Sequence, residues 1–179
     1  MRNIAPQMNK IMIKYFPGFG GDENSKMFAA IRELYPDSDL VLYDNNNAEV
    51  AMRQIATQVE DVTDSENLLI IGQSLGGFWA HKFAVKLGCP MILVNPSFQP
   101  HKSLGKYNLS EAQLNEFESL EEQNTSENSV TIILSQDDEV VDPKPVIDQY
   151  TGKAKFIAID GGHQVTNYDA LLDAIKERQ

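Results

Sequence analysis

One short stretch of the chain combines a reactive side chain with the local pattern that would expose it. Ser74 lies in Gly72-Gln73-Ser74-Leu75-Gly76, after a run of apolar residues and before a segment whose apolar side chains recur at helical spacing. A strand, a tight turn and a helix in this order form a nucleophile elbow, and the glycines let the strand and the helix pass close to the serine. The pattern predicts that Ser74 is a nucleophile; the alternative is a glycine-rich turn with a purely structural role.

Three histidines are available to activate the Ser74 hydroxyl. A serine becomes a good nucleophile only when a base removes its proton. His81 follows Ser74 by two helical turns and therefore points elsewhere, and His101 lies in an irregular stretch where we expect a solvated or a substrate-facing side chain. His163 follows the last predicted strand in a Gly-Gly-His loop. We therefore expect His163 to be the base; the alternative is a loop histidine bonded to its own backbone.

The base needs a carboxylate that fixes its tautomer and stabilises its positive charge. Asp137, Asp138 and Glu139 follow the fifth predicted strand. We expect Asp138 to fill this role, with Asp137 as the alternative, because a short apolar pair after Asp138-Glu139 would anchor the loop. The chain order Ser, Asp, His is that of α/β-hydrolases and differs from the orders in chymotrypsin and subtilisin.

An oxyanion hole requires backbone N–H groups that face the reacting carbonyl oxygen. Leu75, directly after the predicted nucleophile, would supply one of them. The loop after the first strand, Gly18-Phe19-Gly20-Gly21, would supply the second through Phe19. This loop lacks the Gly-x-Gly-x-x-Gly spacing of dinucleotide sites, and Ser25-Lys26 does not form a Walker ending. The sequence therefore favours an oxyanion loop over a phosphate loop.

These residues need elements that bring them to one place. Strands alternate with helices along the chain, and the strands are continuous apolar runs, which is typical of a parallel sheet covered by helices on both faces. The predicted strands span residues 10–16, 40–43, 68–71, 90–94, 130–134 and 155–159. Ligands bind at the carboxyl ends of such strands, and each residue singled out above follows a strand. We therefore predict a three-layer α/β fold whose functional residues converge on one edge.

The alternation is interrupted between residues 97 and 129. We interpret this segment as a small cap-like excursion with one helix, over residues 111–123, within a single domain of residues 1–179. Phe98 and Phe117, together with Tyr107 and Leu114, would line an apolar acyl-binding site beneath it. Core packing under the cap is the alternative role for these side chains.

Composition limits the classes of partner. The 179 residues carry a formal net charge of −11, which disfavours nucleic acid and anionic membranes. The single cysteine, Cys89, cannot form an internal disulfide, and together with the lack of a signal peptide or a membrane-spanning stretch this favours a cytoplasmic location. No Cys, His or Asp grouping has metal-ligand spacing, so we expect no metal and no cofactor. The oligomeric state stays open.

Motifs along nearly the whole chain match one known family in type and in order. They are Tyr15-Phe16-Pro17-Gly18-Phe19, Ile71-Gly72-Gln73-Ser74-Leu75-Gly76-Gly77-Phe78, Leu93-Val94-Asn95-Pro96, Asp138-Glu139-Val140-Val141-Asp142 and Gly161-Gly162-His163. On these motifs the chain resembles the small bacterial α/β-hydrolases of the YqiA/YcfP esterase type. The resemblance implies an α/β-hydrolase fold with a mostly parallel sheet of about six strands and a small helical cap.

The resemblance also implies a function and its residues. It implies hydrolysis of carboxylic esters, on small to medium acyl groups, with acyl thioesters as the nearest variant. Carried over by position, it implies Ser74, Asp138 and His163 as the triad and Phe19 and Leu75 as oxyanion donors.

Two positions depart from the family pattern. Pro17 stands where the family usually has histidine, and His163 follows the glycines directly where the family tends to have Gly-Asn-His. The serine hydrolases that resemble retinoblastoma-binding protein, with a Pro-Gly-x-Gly-Gly loop, are another relative to consider. The departures keep open a non-catalytic interaction module of the same fold. A nucleotide-binding doubly wound domain is a third alternative, which rests on the fold pattern alone.

Overall fold

One parallel sheet organises the chain in the computed structural model, which describes residues 11–59, 62, 65 and 67–178. Its strands are β1 (Met12–Phe16), β2 (Asp39–Leu40), β3 (Leu68–Gln73), β4 (Met91–Val94), β5 (Val130–Ser135) and β6 (Lys155–Ile159). They lie in the order β2-β1-β3-β4-β5-β6, and every neighbouring pair is parallel. The loops that leave the carboxyl ends of the strands therefore share one edge of the sheet.

Helices cover both faces of this sheet. They are α1 (Lys26–Leu34), α2 (Ala48–Val59), α3 (Leu75–Leu87), α4 (Pro100–Ser103), α5 (Glu111–Ser119), α6 (Lys144–Tyr150) and α7 (Asp169–Lys176), with a 3-10 helix at Leu104–Tyr107. Helices α1 and α7 contribute to the core on one face, and α2, α3, α5 and α6 contribute to the core on the other. The three-layer arrangement with a parallel sheet is the one predicted from the sequence.

The strand sequences follow from burial on two faces. In β3, Leu68 and Ile70 belong to one core, whereas Leu69 and Ile71 belong to the other. Because successive side chains of a strand point to opposite faces, a strand with helices on both sides must be apolar at every position. The continuous apolar runs in the sequence are therefore explained by the two helical layers.

Local signals set several helix boundaries. Ser25 caps α1, where its side chain accepts the N–H of Phe28, and Ser110 forms a capping box with Gln113 at the start of α5. Gly88 ends α3 in a left-handed conformation with φ of 65°. Serine at an N-cap and glycine just after the last helical residue are the residue types that local rules favour at these positions.

Strand β2 and helix α5 end earlier than the sequence predicts. Strand β2 contains two residues, and although Val41 still donates its N–H to Tyr15, the chain then turns toward the loop after β1. Helix α5 ends at Ser119 and not near Gln123. Leu120 is the C-cap, and the following Glu121 and Glu122 would add negative charge at the negative end of the helix dipole.

The segment between β4 and β5 contains more helix than predicted. Sequence patterns indicated one helix, whereas the structure has α4, the 3-10 helix and α5 between Pro100 and Ser119. In the described part of the chain, no helix is both long and apolar enough to span a membrane.

Candidate active site

Ser74 occupies a strained turn between β3 and α3. Its backbone has φ of 53° and ψ of −120°, a conformation that side chains other than glycine rarely adopt. Hydrogen bonds on both sides fix the turn: the Ser74 N–H donates to the carbonyl of Val94, and its carbonyl accepts the N–H of Ser97, each at 3.0 Å. The turn therefore holds Ser74 at the carboxyl edge of the sheet, at the first turn of α3.

Only glycine fits at positions 72 and 76 of this turn. A Cβ added at Gly72 would lie 2.3 Å from the Gly76 carbonyl oxygen, and one added at Gly76 would lie 2.1 Å from the Phe16 carbonyl oxygen. Both neighbours are backbone atoms, which cannot move aside without displacing β1 or α3. The glycines of the elbow are therefore explained by close packing of strand against helix.

The structure brings Ser74, His163 and Asp138 into one hydrogen-bonded chain. His163 Nε2 lies 2.9 Å from Ser74 Oγ, and His163 Nδ1 lies 2.9 and 3.0 Å from the two carboxylate oxygens of Asp138. The side chains of His163 and Asp138 are each only 6% exposed. A carboxylate at Nδ1 holds the imidazole in the tautomer that leaves Nε2 free to accept the serine proton.

Asp138, and not Asp137, reaches the histidine. Asp138 Oδ1 also accepts the N–H groups of Val140 and Val141 at 2.8 and 2.9 Å, so the loop itself orients the carboxylate. Asp137 is exposed, and its backbone N–H donates to the Gly161 carbonyl in the loop of His163.

Glu139 supports the histidine loop, a role that the sequence reasoning missed. Its carboxylate accepts the His163 N–H at 2.9 Å, and this bond is the largest of the causes that lower the pKa of Glu139. A Cβ at Gly162 would lie 2.6 Å from the Glu139 carboxylate. The glycine before His163 therefore makes room for this contact. In the sequence, the only hints of this role for Glu139 are its position directly after Asp138 and the glycine that precedes His163.

Asn95 joins three segments at the same edge. Its φ is 44° and its side chain is buried. Its Oδ1 accepts the N–H of Ser135 at 2.8 Å, and its Nδ2 donates to Ser135 Oγ at 2.8 Å and to the His163 carbonyl at 3.1 Å. The sequence reasoning used Asn95-Pro96 only as a family motif and did not foresee this positioning role.

The loop after β1 passes directly over the serine. A Cβ added at Gly18 would lie 3.3 Å from Ser74 Cβ. Tyr43 donates its hydroxyl to the Pro17 carbonyl, and Asn45 Oδ1 accepts the Gly20 N–H at 3.0 Å. The carbonyl at Pro17, where the family usually has histidine, thus helps to fix the loop.

Of the two residues expected to form an oxyanion hole, Leu75 directly follows Ser74 and Phe19 lines the same cavity. Leu75 is the first residue of α3, so its N–H belongs to the positive end of the helix dipole. Phe19 lines the cavity that contains Ser74, and its ring stacks on Tyr107 with 4.2 Å between ring centroids.

A cavity of about 540 Å³ opens over the serine and the histidine. Besides Ser74 and His163, its lining includes the polar side chains of Tyr15, Asn24, Ser25, Lys26, Gln73, Gln164, Thr166 and Tyr168. Tyr107 from the 3-10 helix also reaches this cavity. The lining is more polar than the apolar acyl site expected from the sequence.

Phe98 and Phe117 do not line this cavity. Phe117 has no exposed surface and packs against Phe78 and Trp79. Phe98 packs against His81 and Tyr150. Both rings belong to the core between the sheet and the helices, which is the alternative role considered for them.

The other two histidines lie away from the serine, in accord with their sequence positions. His81 is buried in α3, where its Nε2 lies 2.8 Å from the Tyr150 hydroxyl, and burial lowers its pKa to about 4. His101 of α4 is paired with Glu121 and faces Glu118.

The sheet order, the strained serine after β3 and the position of the histidine loop after the last strand define an α/β-hydrolase fold. The chain belongs to the family described as "Uncharacterised protein family (UPF0227)", whose model matches residues 15–178. A UPF0227 protein of Shewanella woodyi (strain ATCC 51908 / MS32) is 28% identical over 151 residues, which are 77% of this chain and 82% of the relative. The match covers about half the length of several further members.

Solved structures share the fold. Alpha/beta hydrolase domain-containing protein 10 from mouse gives a TM-score of 0.77 at 14% identity, over 93% of this chain and 88% of that one. Est1E from Butyrivibrio proteoclasticus with ferulic acid bound gives a TM-score of 0.71 at 14% identity, over 96% and 89%. The likeness concerns the fold, and it confirms the fold expected from the family resemblance.

Proposed function

We propose that this protein is a serine hydrolase that cleaves small carboxylic esters through an acyl-enzyme on Ser74. The observation that carries the proposal is the chain of hydrogen bonds from Ser74 Oγ through His163 to Asp138. A strained serine with an oriented histidine and a buried carboxylate is the arrangement that activates an otherwise weak nucleophile.

In the first half of the reaction, His163 Nε2 takes the proton of Ser74 Oγ as the oxygen attacks the ester carbonyl carbon. The N–H groups of Phe19 and Leu75 would stabilise the negative charge on the carbonyl oxygen. When the tetrahedral intermediate collapses, the bond to the leaving alkoxide breaks and His163 protonates that oxygen. The products of this half are the free alcohol and an acyl ester on Ser74.

In the second half, water replaces the alcohol. His163 Nε2 takes one proton from water as its oxygen attacks the acyl carbon, and then returns that proton to Ser74 Oγ as the acyl–serine bond breaks. Asp138 stays ionised throughout and stabilises the imidazolium that forms in each half. The products are the carboxylic acid and the restored serine.

We also propose that the segment 97–129 acts as a cap within one domain. Tyr107 of this segment stacks on Phe19, and both residues line the cavity, which supports this role. An acyl thioester is the nearest alternative substrate, because the same steps apply with a thiolate as the leaving group.

Covalent labelling with a fluorophosphonate probe tests the proposal. We expect the wild-type protein to be labelled and labelling to vanish in Ser74→Ala and in His163→Ala. Two control variants remove a serine and a histidine outside the cavity: Ser119→Ala at the end of α5 and His101→Ala in α4. Both should retain labelling. A series of nitrophenyl esters and acyl thioesters then compares leaving groups.

A folded wild-type protein that is not labelled would overturn the mechanism. It would favour instead a non-catalytic interaction module with the same fold. Labelling that persists in Ser74→Ala would assign the reactive group to another residue.

A further inference from the structure

We propose that Gln73 selects esters that carry a hydrogen-bond-accepting oxygen in the chain on either side of the reacting carboxyl group, such as an ether or a hydroxyl oxygen. This inference rests on the proposed hydrolase function and names its substrate class. Gln73 is the last residue of β3, directly before Ser74, and its half-buried side chain lines the same cavity.

A hydrogen-bonded chain fixes the orientation of the Gln73 amide. The backbone N–H of Phe28 donates to Ser25 Oγ at 3.3 Å, and Ser25 Oγ donates to the Tyr15 hydroxyl at 3.3 Å. Tyr15 in turn donates to Gln73 Oε1 at 3.1 Å. Because this bond occupies the carbonyl end of the amide, the NH₂ group points away from Tyr15.

The direction of this chain follows from its first donor. A backbone N–H can only donate, so Ser25 Oγ must accept from Phe28 and has its own hydrogen available for Tyr15. The opposite direction would make Ser25 accept twice and leave its hydrogen without an acceptor among the described residues. The hydrogen-bond pattern therefore favours the orientation in which the Gln73 carbonyl faces Tyr15.

Tyr15 is well suited to hold this orientation. Its side chain is fully buried and stacks on Phe28 with 5.6 Å between ring centroids. Burial also raises the pKa of Tyr15 to about 12, so its hydroxyl keeps the proton that it donates to Gln73. The donor that reaches the amide carbonyl is thus present at any physiological pH.

The Gln73 NH₂ group has no hydrogen-bond acceptor among the residues that the structure describes. Water in the cavity can accept from it. An alkyl chain that displaces this water leaves the donors unpaired, whereas a chain with an oxygen at the same place accepts one of them. A site built to donate a hydrogen bond discriminates more strongly than an apolar pocket does, because an analogue that cannot accept the bond leaves a buried donor unpaired.

Matched ester pairs test this preference. In each pair, one chain methylene is replaced by oxygen. On the acyl side, nitrophenyl butyrate is compared with nitrophenyl methoxyacetate, and nitrophenyl pentanoate with nitrophenyl 3-methoxypropionate. On the alcohol side, butyl acetate is compared with 2-methoxyethyl acetate. The ratio of kcat/KM within a pair is measured for wild type and for variants. Intrinsic reactivity differs within a pair, but it cancels when the ratio of a variant is divided by the wild-type ratio.

Gln73→Met keeps the length of the side chain and removes its donors. We expect the ratio for at least one pair to fall about tenfold relative to wild type. Tyr15→Phe keeps the stacked ring and removes the hydroxyl that orients the amide, so the same ratio should fall in part. Gln164→Met makes the same change at another cavity-lining glutamine, which is exposed and has no hydrogen bond within the described chain, and it should leave the ratio unchanged.

Fluorophosphonate labelling and thermal unfolding of each variant separate the outcomes. If the variants fold and are labelled but Gln73→Met leaves every ratio unchanged, the inference is overturned while the hydrolase function stands. An equal fall in Gln164→Met would also overturn it, because the effect would then belong to cavity polarity in general. If folded wild type is not labelled, the proposed function fails and the inference fails with it.

Discussion

At the scale of single residues, the site depends on side chains that orient other side chains. Asp138 bonds to both the imidazole of His163 and the backbone of its own loop, and Glu139 bonds to the backbone N–H of the same histidine. Consecutive carboxylates thus have separate tasks: one faces the ring and the other fixes the loop that carries it.

Asp138→Asn should strongly impair the proposed reaction without changing the fold. An amide in place of the carboxylate would favour the wrong tautomer of His163, and we expect kcat to fall roughly 10⁴-fold for the best nitrophenyl ester. Steady-state kinetics measure the effect, and Asp137→Asn, which changes an exposed neighbour, should retain nearly full activity. Equal losses in the two variants would contradict the assignment of Asp138.

The residues that sequence reasoning missed are those whose role needs the third dimension. Ser74, Asp138 and His163 could be proposed because each follows a strand in a characteristic motif. Asn95 and Glu139 bond to residues far along the chain, and their partners follow only from the strand order. Phe98 and Phe117 were expected to line an acyl site, with core packing as the alternative, because residue type alone does not reveal whether an aromatic ring faces a cavity or the core.

At the scale of elements, the elbow depends on the close passage of β1, β3 and α3. Gly76→Ala should place a methyl group against the Phe16 carbonyl oxygen and force β1 and α3 apart. We expect the free energy of unfolding to fall by about 1–3 kcal/mol, or more, and labelling of Ser74 to fall with it. Urea unfolding measures the first effect.

Gly105→Ala is the matched control for this substitution. A Cβ at Gly105 meets no other atom within 4 Å, so we expect a change within about 0.5 kcal/mol. If Gly76→Ala proved as stable as Gly105→Ala, the close packing at the elbow would not be the reason for the glycine.

Asn95 connects the ends of β4 and β5 to the histidine loop, and two substitutions separate its contributions. Asn95→Gly keeps the positive φ accessible and removes three hydrogen bonds, whereas Asn95→Ala also adds backbone strain. We expect both to be destabilised by about 1–3 kcal/mol or more, with Asn95→Ala the worse. Thermal unfolding and kcat measure the loss, and a wild-type kcat in stable Asn95→Gly would rule out a positioning role.

Element boundaries were predictable where a local cap sets them and less so where tertiary packing does. Ser25 and Ser110 occupy N-caps and Gly88 occupies a C-cap, positions that these residue types favour by local rules. Strand β2 is short because the chain after Leu40 turns to bring Tyr43 to the Pro17 carbonyl, and that partner lies outside any local pattern.

At the scale of the whole molecule, stability should depend on pH through a histidine outside the site. Burial lowers the pKa of His81 from 6.5 to about 4, while Glu122 and the Asn124 backbone oppose the shift in part. The unfolded chain therefore binds this proton at a higher pH than the folded protein does. It follows that stability is lost as pH falls from about 6.5 toward 4.

His81→Gln removes this titration and can retain a hydrogen bond to Tyr150. Between pH 7 and pH 5, we expect wild type to lose about 2 kcal/mol more of its unfolding free energy than the variant loses. Urea unfolding at the two pH values measures this difference. Parallel losses in the two proteins would show that other groups cause the acid sensitivity.

The stacking of Phe19 on Tyr107 has a consequence for timing. The ring of Phe19 touches the segment that we propose as the cap, and the backbone N–H of the same residue is the proposed oxyanion donor. A cap that swings away and carries the Phe19 ring with it would also withdraw that N–H from the carbonyl oxygen. Admission of substrate and readiness for chemistry would then be mutually exclusive states, and the enzyme would be competent only while closed.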